Sequence, residues 1–311
     1  MLVIFGEECF KHYTGSFHPE RKERIIPLKE ELEKLDYVEF VKPELLNEEI
    51  LNLVHSCDYV NEFKNSIEKK SYLHSTDCPL SKDTFKSAQL SASGAVLACD
   101  LIMKSKTDKA VFSILRPPGH HARPAQAMGF CYFNNVAIAA SYLLEKWKLE
   151  RIAIIDWDAH HGNGTQEIFY QSPNVFYTSM HGHPKITYPG TGFSEEIGNG
   201  KGKGFTLNFP LFPEVDDEEY LRIFKEKLIP ALEKYKPEFC LISCGFDAHK
   251  EDPLVPNLRL SDETFENLFE ETIKFAKENF NLRVVFILEG GYNPMVVKRL
   301  GLKLVEKIQK I

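Results

Sequence analysis

Short unbroken apolar runs alternate along the chain with longer stretches in which apolar residues return every three or four positions. The runs read as strands buried on both faces of a parallel sheet, and the periodic stretches as amphipathic helices. Strands are predicted at Leu2 to Phe5, Ala110 to Leu115, Arg151 to Asp156, Val175 to Ser179, Phe205 to Phe209, Glu238 to Ser243 and Arg283 to Leu288. Helices are predicted from Glu23 to Leu35, kinked or interrupted at Pro27, and over Glu48 to His55, Tyr59 to Lys69, Lys82 to Lys104, Asn135 to Trp147 and Thr165 to Tyr170. Asp216 to Tyr235, Asp262 to Asn279 and the carboxyl end complete the helical set. Regular alternation from Ala110 onward predicts right-handed crossovers and one mostly parallel α/β sheet with helices on both faces. No composition shift, long linker, repeat or low-complexity segment interrupts the pattern, so residues 1–311 are expected to form one domain.

Composition narrows the class. Hydrophobic residues at 43% and charged residues at 27% suit a soluble globular protein. No apolar run approaches the roughly 20 residues that cross a bilayer, so no membrane partner is expected. The amino-terminal MLVIFGEECF lacks a basic leader and reads as the first strand. A formal charge of −7 argues against direct nucleic-acid binding, and Lys11, Arg21, Lys22 and Arg24 are expected on a solvated face. Within HPERKERI, His18 to Ile25 could orient a loop, although local physics alone makes it a charged approach to a helix. Seven cysteines without a C-x-x-C pair predict reduced thiols and a cytoplasmic setting. Cys240 and Cys244 are expected to pack as small apolar residues, whereas Cys131 follows Gly129 and Phe130 near the candidate site.

Polar groups follow four of the predicted strands directly, at the strand end where open α/β sheets bind ligands. In IAIIDWDAHHGNG, Asp156, Asp158 and His160 alternate, and they would converge on one point if extended backbone persisted past the strand. Gly162 and Gly164 are expected to allow a sharp exit into the next helix. In SCGFDAH, Asp247 can add a second carboxylate to a metal held by Asp158 and His160. Three protein ligands with an open position describe a catalytic zinc site, and the cysteines are wrongly spaced for a closed structural one. RPPGHHA offers adjacent histidines, His120 and His121, as general base and electrostatic partner. In LEGGY, Gly290 and Gly291 let backbone approach a ligand, and the Tyr292 phenol can donate to a developing oxyanion.

With these motifs in this order and spacing, the chain resembles the zinc-dependent histone deacetylase family, which shares its fold with arginases, from about Ile4 to beyond Tyr292. The resemblance implies one catalytic domain, a parallel sheet of about eight strands and long loops at the strands' carboxyl ends. Carried onto this sequence, Asp158, His160 and Asp247 resemble the ligands of one zinc ion per chain, with iron(II) as an alternative in the cell. His120 and His121 resemble the tandem catalytic histidines, Asp156 the acidic partner of the first, and Tyr292 the carbonyl-polarising tyrosine. Asn163 stands behind His121, where some members have aspartate; an amide orients the ring without neutralising an imidazolium, and so favours a lower His121 pKa. Gly129, Phe130 and Tyr188 match the narrow acyl-lysine tunnel, Leu254 a rim position, and Asp77 the rim aspartate that holds substrate backbone. The carbonyls of Asp158, His160 and Met180, with the side chains of Asp156 and Ser179, resemble a buried potassium site.

The implied reaction is hydrolysis of an acyl-lysine amide on a protein or peptide, or of a small acylated amine. Zinc would polarise the carbonyl and acidify water, His121 would take and return the proton, and Tyr292 would stabilise the oxyanion. An arginase-like two-manganese site needs D-x-x-D and D-x-D ligand runs, which His161 and the pair Ala248–His249 replace. Acetylpolyamine hydrolysis uses the same machinery, but Leu254 offers nothing to a second ammonium where a polyamine-specific relative places an acid. A catalytically silent acyl-lysine or metal-binding module is the third reading, and the complete set of ligands, histidines and tyrosine stands against it.

Overall fold

The computed structural model describes residues 1–105, 110–254 and 257–310. Eight strands form one all-parallel sheet: β1 (Leu2–Ile4), β2 (Glu39–Val41), β3 (Ala110–Ser113), β4 (Ile152–Asp156), β5 (Val175–Gly182), β6 (Thr206–Leu211), β7 (Phe239–Cys244) and β8 (Val284–Leu288). Every residue of β3, β4, β5, β7 and β8 is buried, as expected for strands covered by helices on both faces. Seven strands match the predicted ones within a few residues. The eighth, β2, pairs with β1 at the sheet edge, and three residues are too few to display a period.

The helices are α1 (Ile26–Leu32), α2 (Glu48–Leu51), α3 (Cys57–Ser66), α4 (Thr84–Lys104), α5 (Asn135–Lys146), α6 (Asn163–Phe169), α7 (Asp217–Ile223), α8 (Ile229–Tyr235), α9 (Asp262–Phe280) and α10 (Pro294–Gln309). Pro27 sits in the first turn of α1, where its missing N–H costs nothing, so it starts the helix instead of kinking one. The helix expected from Asp216 to Tyr235 is divided by a π-helical segment, Phe224–Leu228. Pro230, in the first turn of α8, has no N–H for the Glu226 carbonyl and crowds it, and the wider π turn accommodates that carbonyl. The stretch from Glu48 to His55 yields only the single turn of α2, capped by Asn47.

Sheet order is β2-β1-β3-β8-β7-β4-β5-β6. The four strands that lead into RPPGHHA, LEGGY, GFDAH and DWDAHHGNG are therefore consecutive neighbours, β3-β8-β7-β4. Residues far apart in the chain reach one edge because the crossovers interleave their strands.

A buried ion triad holds the amino-terminal segment against that edge. Arg116 meets Glu20 with two prongs, Nε to Oε1 at 2.8 Å and Nη2 to Oε2 at 2.5 Å, and Arg24 Nη1 reaches Oε1 at 3.0 Å. All three residues are at most 1% exposed. Arg24 is thus not on a solvated face, and HPERKERI is more than a charged approach. Its guanidinium donates to the carbonyls of Gly291 and Glu289 at 2.6 and 2.5 Å, while Arg116 donates to those of Cys9 and His12 at 2.8 and 2.9 Å. These carbonyls lie in loops and, for Cys9, in a short 3-10 helix, and must find donors outside the sheet ladder.

Burial pushes the Glu20 carboxyl up, but Arg116 and Arg24 outweigh it and hold it at about 2, below its ordinary 4.5. A carboxylate depressed on folding contributes stability that is fully present above the unfolded value and lost as pH falls through the folded one, here between 4.5 and about 2. The shift corresponds to about 3 kcal/mol. Glu20→Gln should therefore cost about 3 to 5 kcal/mol at pH 7, because two buried guanidiniums lose their carboxylate. Denaturant unfolding of both proteins from pH 7 to 3 should show that difference shrinking below pH 4.5; a constant difference would contradict the assignment.

Candidate active site

The backbone after β4 does not stay extended; it bends through residues 158–160. Successive side-chain hydrogen bonds organise the bend. The Asp158 N–H donates to Asp156 Oδ1 at 3.2 Å, and the His160 N–H to Asp158 Oδ1 at 2.9 Å. Each aspartate thus accepts from the residue two places on, the Asx-turn arrangement that stabilises a bend. One consequence corrects the expected convergence: Asp156 does not join Asp158 and His160 at one point. Its Oδ2 instead faces His120 Nδ1 at 3.0 Å and accepts from the Tyr177 hydroxyl at 3.2 Å.

Asp247, after β7, completes the cluster in place of Asp156. One ligand atom from each of Asp158, His160 and Asp247 lies within 4.8 Å of the others, the geometry of a site that could hold a metal. His160 Nδ1 is 3.1 Å from Asp158 Oδ1 and 2.9 Å from Asp247 Oδ2. The outer oxygens are occupied by backbone donors, Gly290 N–H to Asp158 Oδ2 at 2.7 Å and Ala159 N–H to Asp247 Oδ1 at 2.8 Å. Burial pushes Asp247 up to about 7, with the Asp158 charge adding to it, whereas His120 and His160 pull Asp158 well down despite its own burial. Two buried carboxylates and one imidazole aimed at a common point suit a divalent cation, which would supply the positive charge this pair lacks.

The glycines serve close approach. A Cβ on Gly290 would lie 2.5 Å from both Asp158 Oδ2 and Asp247 Oδ2. Gly162 has an ordinary φ of −73°, and a Cβ there would meet Asp156 Oδ2 at 2.3 Å, while one on Gly164 would meet the Ala122 carbonyl at 2.2 Å. Contact with the histidine turn and with Asp156, not a sharp exit, is what requires glycine at these two positions.

The tandem histidines sit in different electrostatic surroundings. His120 pairs with Asp156; burial opposes its charging, but Asp158 and Asp156 together raise its pKa to about 10. His121 Nδ1 lies 2.8 Å from Asn163 Oδ1, and its pKa is driven well below the ordinary value by burial and then by His120 and His160. Their ring centroids are 4.0 Å apart. Tyr188 stands edge-on to His121 at 5.1 Å and to His160 at 6.2 Å, and Phe130 stands edge-on to Tyr292 at 5.7 Å. Burial pushes the Tyr292 phenol well above its ordinary range, so it keeps its proton. The Gly129 N–H donates to Asp77 Oδ2 at 3.0 Å, which ties Asp77 to the Gly129–Phe130 turn. Leu254 is 40% exposed, and its N–H donates to Asp252, whose other oxygen accepts from the Tyr292 N–H. Asp156 and Ser179 are direct partners in the β4–β5 register, with Met180 next along β5. Ser179 Oγ lies 2.8 Å from His181 Nδ1.

Four residues around the site escaped the reading of the motifs: Glu20, Arg24, Arg116 and Glu289. Glu289, wholly buried, accepts the N–H groups of Gly119 and His120 on Oε2 at 2.7 and 3.2 Å, and its Oε1 lies 3.5 Å from Ser243 Oγ. The available signal was a carboxylate placed directly after the apolar run VVFIL, at the ligand-binding end of the sheet.

Comparison with known proteins follows the same outline. The sequence pattern described as the histone deacetylase domain matches residues 17–308. A probable deacetylase of Archaeoglobus fulgidus is 40% identical over 297 residues, covering 94% of this chain and 81% of that protein. A histone deacetylase-like amidohydrolase of Pseudomonas aeruginosa is 35% identical over 269 residues, covering 86% and 70% respectively. The crystal structure of the HDA15 HD domain superposes with a TM-score of 0.92 at 28% identity, over 99% of this chain and 89% of that one.

Proposed function

The chain belongs to the histone deacetylase domain family, within the arginase/deacetylase superfamily, and from that premise we propose that it is a zinc-dependent hydrolase of acyl-lysine amides in proteins or peptides. The observation that carries the reading is the cluster of Asp158, His160 and Asp247 beside two histidines, one backed by the Asp156 carboxylate and the other by the Asn163 amide. In this reading residues 1–311 act as one catalytic domain, and the cysteines, all free thiols and six of them buried, suit a reducing compartment such as the cytoplasm. Among the described residues no helix is long and apolar enough to cross a membrane.

Asp158, His160 and Asp247 would hold the cation, zinc by preference for a mixed oxygen and nitrogen set and iron(II) as the alternative. When bound, it supplies a Lewis acid for the amide carbonyl and lowers the pKa of water. Because Asn163 Oδ1 can only accept, the 2.8 Å contact assigns the proton of neutral His121 to Nδ1 and leaves the Nε2 lone pair free. His121 is therefore the base that takes the water's proton and returns it to the leaving amine. His120, whose pKa Asp158 and Asp156 raise, favours negative charge on the tetrahedral intermediate, and the Tyr292 phenol donates to its oxyanion. Gly129, Phe130 and Tyr188 line the acyl chain's path, with Asp77 and Leu254 toward the rim. Asp156, Ser179 and the carbonyls of Asp158, His160 and Met180 would enclose a structural potassium ion.

Turnover on acetyl-lysine peptides, longer acyl-lysines and acetylpolyamines, with metal analysis of the same preparation, tests the reading. About one metal per chain with acyl-lysine preferred is expected; hydrolysis confined to acetylpolyamines, or none with metal present, would replace it. Asp247→Ala should lose the metal, because two ligands make an incomplete site. Full retention would remove Asp247 from the ligand set. Tyr292→Phe should keep the metal and lose about 10²- to 10³-fold in kcat, the usual cost of one oxyanion donor. A rate within about threefold of wild type would leave that phenol without a catalytic part.

A further inference from the structure

Glu289 lies three residues before Tyr292, yet its side chain turns away from the Tyr292 loop and into the histidine turn. It is 0% exposed, and Oε2 receives two consecutive backbone N–H groups, those of Gly119 at 2.7 Å and His120 at 3.2 Å. Its Oε1 faces Ser243 Oγ at the end of β7, its own N–H donates to the Cys244 carbonyl, and its carbonyl accepts from Arg24 Nη2 at 2.5 Å. A carboxylate with no solvent access can be placed there only if donors meet it, and donors of this kind fix the backbone that carries them. The side chain thus joins the ends of three neighbouring strands, β3, β8 and β7, at the level where the histidine turn, the Tyr292 loop and Asp247 begin.

We propose that Glu289 is the positioning residue of the tandem-histidine turn: its carboxylate, clamped on the Gly119 and His120 amides, sets where both imidazoles stand relative to the Asp158–His160–Asp247 cluster. The inference rests on the amidohydrolase reading for its kinetic consequence, and on geometry alone for the clamp. Glu289 touches no reacting atom. It acts as an acceptor of fixed reach, since both amides meet the same oxygen. A glutamine can present its amide oxygen to the two N–H groups and turn its NH2 toward Ser243 Oγ, whereas an aspartate keeps the charge but falls a methylene short.

The test compares E289A, E289D and E289Q with wild type by residue-resolved amide hydrogen exchange, metal content, and kcat and KM on the best substrate of the panel. E289A and E289D should accelerate exchange at Gly119 and His120 by about tenfold or more. With metal retained, they should lower kcat by about 10²-fold and leave KM within about threefold, the signature of displaced catalytic groups in an intact binding tunnel. E289Q should restore amide protection and most of the rate lost in E289A. Unchanged exchange in folded E289A or E289D overturns the clamp, and faster exchange with kcat within about threefold overturns its positioning role. A reversed order, with E289D active and E289Q impaired, assigns the effect to charge beside His120 and equally overturns it. Wild-type turnover is read first: no hydrolysis of any panel amide removes the amidohydrolase reading, while exchange, measured without substrate, still decides the clamp.

Discussion

Asp158 and Asp247 lie side by side where water is excluded, and like charges in such a place are tolerated only when donors or cations surround them. The local design follows from that constraint. Gly290, Ala159 and His160 aim backbone N–H groups at the two carboxylates, and His160 Nδ1 bridges them. Backbone can come this close only without a side chain: a Cβ on Gly245 would fall 2.3 Å from Asp158 Oδ2, as one on Gly290 would fall at 2.5 Å. A cation at the point the three side chains share would complete the balance that backbone dipoles begin.

The same field separates the two histidines. They are adjacent in sequence and 4.0 Å apart as rings, yet one is backed by a carboxylate and the other by an amide. Burial, and after it His120 and His160, pushes the His121 pKa down, whereas Asp158 and Asp156 outweigh burial and push that of His120 up. Identical side chains thereby stand in opposite surroundings, set by what backs each ring. Outside this pair, buried charges tie distant segments of the chain together. Glu20 joins Arg116 to Arg24, and through them the Cys9–His12 segment is tied to the loop that carries Tyr292.

Much of the fold was legible because runs such as Ile152 to Ile155 are apolar without interruption, a pattern that burial on both faces demands. The candidate metal cluster was legible for a related reason: Asp158, His160 and Asp247 follow buried strands closely, and polar groups there must find partners. Asp156 was read two ways: alternation suggested convergence with Asp158 and His160, the family resemblance a partner for His120, and the Asx-turned bend sends it to His120. Glu20 and Arg24 were hidden in a charged stretch that looks solvated until Arg116, about a hundred positions away, folds against it.

By itself, then, the sequence determined every strand but β2, the parallel α/β class, the four motif-bearing strand ends and the chemical types available there, because each depends on residues close together in the chain. Tertiary structure alone decided which strand ends are neighbours, that Glu289 reaches the histidine turn, and that Glu20 lies buried between two arginines. Those outcomes depend on sheet order and on the low dielectric it encloses, where a charge becomes a structural element only when a distant partner arrives.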